Sequence, residues 1–153
     1  MIFAKRHFFA ALLSFAATFA ILPVHAGENV VAGARLAAWT PDPWAAKTAG
    51  DRLEANNPQE TIYVVATRLA GAAANAKARV SAFVDNELDE ADFAADGMSG
   101  TAEDGGDDVQ FTVATVVDGA DLLVLLVYGD ADVLKQQGPR QAVERIRASL
   151  KAH

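Results

Sequence analysis

Nine carboxylates crowd the 22 residues from Glu87 to Asp108, with no Lys or Arg among them. Oxygen donors at that density suit a hard cation such as Ca²⁺, acid–base work on a glycosidic bond, or an electrostatic face for a basic partner. The best-placed calcium ligands are Asp104, Asp107 and Asp108, in the turn Glu103-Asp104-Gly105-Gly106-Asp107-Asp108. A solvated hairpin tip would use the same residues, because Gly supplies positive φ and Asp favours turns. Asp85, Glu87 and Asp89 follow the first, third and fifth positions of an EF-hand loop. However, Glu90 stands where that loop needs Gly, and Asp96 where it needs a bidentate Glu. Asp85, Glu87, Asp89, Glu90 and Asp92 therefore read as a solvated contact face for a partner protein, preferably a basic one.

Other chemistries lack donors. His7 and His25 fall in the first 26 residues, His153 is the last residue, and the chain has no Cys. A Ser-His-Asp triad, a Cys-His pair and a zinc site of the usual ligands have no obvious members. The stretch Gly71-Ala-Ala-Ala-Asn-Ala-Lys-Ala78 has neither the second Gly nor the Lys-Ser/Thr of a phosphate-binding loop. Carboxylate-based hydrolysis is the enzyme class best supplied, and it ranks third behind protein binding and calcium binding. The expectation is a non-catalytic accessory or protein-binding domain.

Residues 1–26 read as a signal peptide. Lys5, Arg6 and His7 precede an apolar run from Phe8 to Leu22, and Pro23 and Val24-His25-Ala26 lead to a cleavage point. The run is short against the roughly 20 residues of a spanning helix. The expected product is exported, periplasmic and without a membrane span. Without Cys it forms no disulfide, so the fold rests on its core. Residues 27–153 carry 11 basic and 20 acidic residues, a net charge of −9. No base occurs between Arg79 and Lys135, a window holding 14 of the acids. Such a field disfavours nucleic acid and anionic lipid, whose phosphates need clustered Lys or Arg.

Residues 27–34 read as a linker to a single domain over 35–153. Arg35 to Trp39 suits a first strand. Residues 43–55 fit either a helix opened by Asp42-Pro43 or strands interrupted at Gly50-Asp51, with the strand reading slightly preferred. Thr61 to Leu69 is β-branched and aromatic and predicts a strand. Ala76, Val80, Phe83, Val84 and Leu88 recur at helical spacing, predicting a helix over Ala72 to Leu88. Met98 to Ala102 suits a strand leading into a hairpin over Val109 to Gly129, whose two arms are joined by Asp118-Gly119. A last helix opens at Pro139, with Val143, Ile146 and Leu150 inward. Its bases Arg140, Arg145, Arg147 and Lys151 suit a solvated face or an acidic partner. Trp39 and Trp44, beside a Pro-rich turn, suit packing at the sheet's end better than ligand stacking. Leu122 to Val127 is apolar throughout, so both faces of its strand must be covered. The fold class is therefore α+β, a mostly antiparallel sheet flanked by helices on both faces.

The order of Trp39-Thr-Pro-Asp-Pro-Trp44, the β-rich Thr61-to-Leu69 stretch, the hairpin and the closing Ser149-Leu150-Lys151 resembles the PsbP/DcrB-like family of small exported proteins. The resemblance spans residues 35–152. It implies an antiparallel sheet between helices and an accessory or binding role, with no shared catalytic set. Asp42-Pro43 departs from it by permitting a helix where the family has a strand.

Overall fold

The computed structural model describes residues 27–153. The signal peptide expected over residues 1–26 lies outside the described residues. Ten strands are laid out as β1 (Gly27–Val31), β2 (Leu36–Thr40), β3 (Ala45–Ala49), β4 (Arg52–Asn56), β5 (Ile62–Leu69), β6 (Asp89–Phe93), β7 (Ser99–Asp104), β8 (Asp107–Asp118), β9 (Asp121–Gly129) and β10 (Lys151–Ala152). The helices are α1 (Ala76–Glu87), α2 (Ala131–Lys135) and α3 (Gln137–Ala148).

A seven-stranded sheet runs in the order β3-β4-β5-β9-β8-β7-β6, and a three-stranded sheet in the order β1-β2-β10; every pairing is antiparallel. β9 lies at the centre of the large sheet, and its six apolar residues alternate between two cores. Leu122, Val124 and Leu126 pack with Val80, Phe83 and Val84 of α1. Leu123, Leu125 and Val127 pack on the other side with Leu36 and Ala38 of β2 and Val143 and Ile146 of α3. All six are at most 1% exposed, as a strand covered on both sides requires.

The mixed α/β, mostly antiparallel character is thus present, with a difference on one face. α1 covers one side of the large sheet, but on the other β1 and β2 share the cover with α3. Residues 27–34 are accordingly no linker. β1 pairs with β2 from Gly27↔Thr40 to Val31↔Leu36. The sequence hides this strand because one of its two inward residues, Asn29, is polar, and the other, Val31, is followed at once by Ala-Gly-Ala. Asn29 is 1% exposed, and its Nδ2 donates to the Ala38 carbonyl and to Thr40 Oγ1.

Residues 43–55 form no helix. Pro43 follows a cis peptide bond inside a turn closed by Trp44 N–H to the Pro41 carbonyl, and β3 and β4 follow, reversing at Gly50-Asp51. The last helix starts at Gln137, not Pro139, and the short α2 precedes it, capped by Asp130 Oδ1 accepting from Asp132 N and Val133 N. In the β8–β9 hairpin Asp118 and Asp121 are still paired, so the two loop residues are Gly119 and Ala120. Only Gly119 has positive φ, +63°, which fits a type II′ turn better than the Asp-Gly type I′ pattern.

Candidate functional site

The acidic stretch is built into the fold rather than hung on a loop. β6 forms one outer edge of the large sheet, with Ala91 and Phe93 turned inward and Glu90 and Asp92 exposed. Its register with β7 breaks between Asp89 and Asp92, and Glu90 has φ +49°. Charges, a bulge and a left-handed residue are the devices that keep an edge strand from pairing with a foreign strand. Asp89 stands opposite Glu103, a like-charge pair that weakens the ladder while concentrating negative potential.

The expected contact residues do not share one environment. Asp85 lies exposed on α1, and Glu90 and Asp92 are exposed on β6. Glu87 instead belongs to an ion-pair network. Arg52 of β4 donates Nη1 to Glu87 Oε1 at 2.8 Å and Nη2 to Oε2 at 2.5 Å, and its Nε donates to Glu54 at 2.9 Å. Lys47 of β3 reaches the same Glu54 at 3.1 Å. Acids in the last turn oppose the helix dipole; Arg52 offsets that cost at Glu87 and fastens α1 to the sheet.

The other acidic group surrounds the β7–β8 turn, where Gly105 and Gly106 have φ of +61° and +91°. Asp104 faces Asp107 across the ladder, and Glu103 faces Asp108. Paired residues share a face and neighbours alternate, so Asp108 leaves on the face opposite Asp104 and Asp107. Asp104 is only 6% exposed, whereas Asp107 and Asp108 are exposed. No group of three or more His, Cys, Asp or Glu side chains able to hold a metal ion occurs among the described residues. All three aspartates nevertheless border a cleft of about 360 Å³, together with Glu60, Tyr63 and Asp130. The β5–β9 register, which sets Ile62 opposite Gly129, carries Glu60 and Asp130 there. No sequence signal marks that meeting, because the residues come from three separate segments.

An aromatic row underlies this end of the sheet. Tyr63 and Tyr128 stack with centroids 5.3 Å apart, and Phe93 meets Phe111 edge-on at 5.0 Å. Burial first, and then the charges of Asp104 and Glu87, push the Tyr128 phenol above its ordinary pKa, so it stays protonated. Carboxylates beside an aromatic wall attract cations and basic side chains.

The opposite end is held by Arg68, whose side chain is 9% exposed. It donates to Asp118 at 2.7 Å, Asp121 at 3.1 Å, and the carbonyls of Ala34 and Arg35 at 2.5 and 3.0 Å. Asp121 also accepts from Gly71 N–H at 2.9 Å. That backbone bond, then Arg68, holds the Asp121 carboxyl below its usual pKa. Sequence reading missed Arg52 and Arg68, since a lone Arg in a strand looks like a solvated charge until its partners converge.

Both tryptophans pack against the core shared by β2 and α3. The Arg145 guanidinium lies 3.8 Å from the Trp39 ring centroid, and the Trp39 backbone N–H donates to Ser149 Oγ at 2.7 Å. Part of the basic helix face is therefore spent on the fold. No helix among the described residues is long and apolar enough to cross a membrane. Compared with known proteins, the chain matches no family model and no curated protein.

Proposed function

We propose that this chain is an exported, non-catalytic accessory protein that binds a basic partner protein through the acidic edge formed by α1, β6 and the β7–β8 turn. One observation carries the reading: the nine carboxylates of residues 87–108 run from the end of α1 through edge strand β6 and its neighbour β7 to the β7–β8 turn, at one side of the large sheet, where Glu90 and Asp92 are exposed beside the exposed Asp85 of α1. Side chains on a sheet edge and its adjoining helix end are held in fixed relation, so their fields add at a partner's surface and steer its approach. Glu87 and Asp89 contribute charge, with Glu87 held by Arg52. An antiparallel sheet with α1 on one face and α3 beside a small sheet on the other is compatible with a PsbP/DcrB-like sandwich, and the accessory role of that family agrees with this reading.

The test is capture of partners on the immobilised protein over a salt series. Binding through the acidic edge predicts release of a basic protein as ionic strength rises past the point where the Debye length falls to about 8 Å. Retention that ignores salt contradicts it.

A weak calcium site is the second reading, favoured by the cleft that gathers Asp104, Asp107, Asp108, Glu60 and Asp130. Hard oxygen donors on two flexible glycines suit a low-affinity extracellular site. A hydrolase using two of these carboxylates is the third.

A further inference from the structure

The two outer edges of the large sheet are built in opposite ways. β6 carries Asp89, Glu90 and Asp92, a register break and a left-handed residue. β3, with the sequence Ala-Ala-Lys-Thr-Ala, has no acid, no Pro and an unbroken five-residue register with β4. Among the described residues β3 pairs with β4 alone, and Ala45, Thr48 and Ala49 are exposed. A regular strand of small residues at a sheet edge presents backbone donors and acceptors to whatever strand arrives next. Its one charge is already matched, since Lys47 lies 3.1 Å from Glu54.

We propose that the outer edge of β3 is a strand-addition site for an extended partner segment with apolar residues at alternate positions and basic residues at its ends. Three features specify that occupant. Exposed Asp42 precedes β3, and exposed Asp51 follows it, so each end of an added strand meets a carboxylate. Ala46 and Trp44 pack against the core below β3, so an added strand's apolar side chain on that face extends the core beside the indole. The net charge of −9 over residues 27–153 opposes a second copy of this chain and favours a basic segment. The site lies at the opposite edge from the acidic contact proposed above and stands independently of it.

The test uses the protein expressed from Met1, ¹⁵N-labelled, and the synthetic hexapeptide Arg-Val-Thr-Val-Thr-Arg. Strand addition predicts amide shifts and slowed exchange at residues 45–49, with a change in Trp44 fluorescence. Two N-methylated peptides decide the mechanism. Because only alternate peptide amides face the host strand, methylation of one alternating set weakens binding at least about tenfold, whereas methylation of the other set leaves it unchanged. Asp42→Asn/Asp51→Asn weakens it by about two- to tenfold without altering that asymmetry. Equal binding of both methylated peptides overturns the proposal, as do shifts confined to β6 and the β7–β8 turn.

Discussion

Glu87, at the C-terminal end of α1, receives both terminal nitrogens of Arg52 from β4, at 2.8 and 2.5 Å. A residue that reads in sequence as one more surface acid is thus part of the fold's framework. It also divides the acidic stretch into charges that hold the molecule together and charges that face outward.

Arg52→Ala should therefore destabilise the protein, since it leaves Glu87, whose side chain is 16% exposed, without its partner. Losing charge-assisted bonds of this kind costs about 1–3 kcal/mol. Glu90→Gln, on the exposed edge, should change stability by less than about 0.5 kcal/mol. Urea unfolding of both variants beside the parent checks the contrast.

Arg68→Ala should also destabilise the protein. Asp118 and Asp121 lose a shared donor, and the carbonyls of Ala34 and Arg35 lose theirs. The acids are partly exposed, so the expected change is a drop in melting temperature no larger than that of Arg52→Ala. Calorimetry of both variants checks it.

Gly129→Ala tests the tight approach of β9 to β5. A Cβ at Gly129 would lie 2.2 Å from the Thr61 carbonyl oxygen, so backbone must move. Overpacking of this sort costs about 1–3 kcal/mol, read as a lower urea midpoint.

Acid should weaken the Asp121 contacts in a defined direction. Its folded pKa lies below the ordinary carboxylate value, so the stability it contributes is complete above the unfolded pKa of about 4 and is lost as pH falls through the folded pKa. The melting-temperature gap between the parent and Asp121→Asn should therefore be widest near neutrality and close below that range.

Calcium separates the second reading from the first. At about ten times its dissociation constant a specific ion stabilises the fold by roughly 1.4 kcal/mol, or about 3–5 °C in melting temperature. A calcium-specific gain that Asp104→Asn/Asp107→Asn abolishes supports a site in the cleft. Equal effects of Mg²⁺ and matched NaCl reduce the turn to a solvated tip.

The strongest period signals were legible in the sequence. Leu122 to Val127 demanded cover on two faces, and the spacing of Val80, Phe83, Val84 and Leu88 marked α1. β1 and β6 escaped because neither shows a clean apolar alternation: β1 buries Asn29 beside Val31, and β6 is half acidic. Asn29 is buried on β1 through its own hydrogen bonds, and β6 alternates Ala91 and Phe93 with Asp and Glu because an edge tolerates charge. The two-stranded course of residues 43–55 depends on pairing with β5, which short Ala-rich segments do not announce. Of the acidic residues, the sequence identified the cluster but not its division, because Arg52 lies 35 residues from Glu87.

We propose that the localised acidic edge, rather than net charge, recognises a basic partner. Fluorescence anisotropy of a labelled decalysine probe at about 20 mM NaCl, where screening is weak, tests it most directly on two variants of equal charge. Asp85→Asn/Glu90→Gln/Asp92→Asn neutralises the edge, and Glu28→Gln/Asp132→Asn/Glu144→Gln neutralises exposed acids elsewhere. Binding at the edge predicts about tenfold weaker binding for the first and little change for the second. Equal losses in both would contradict it.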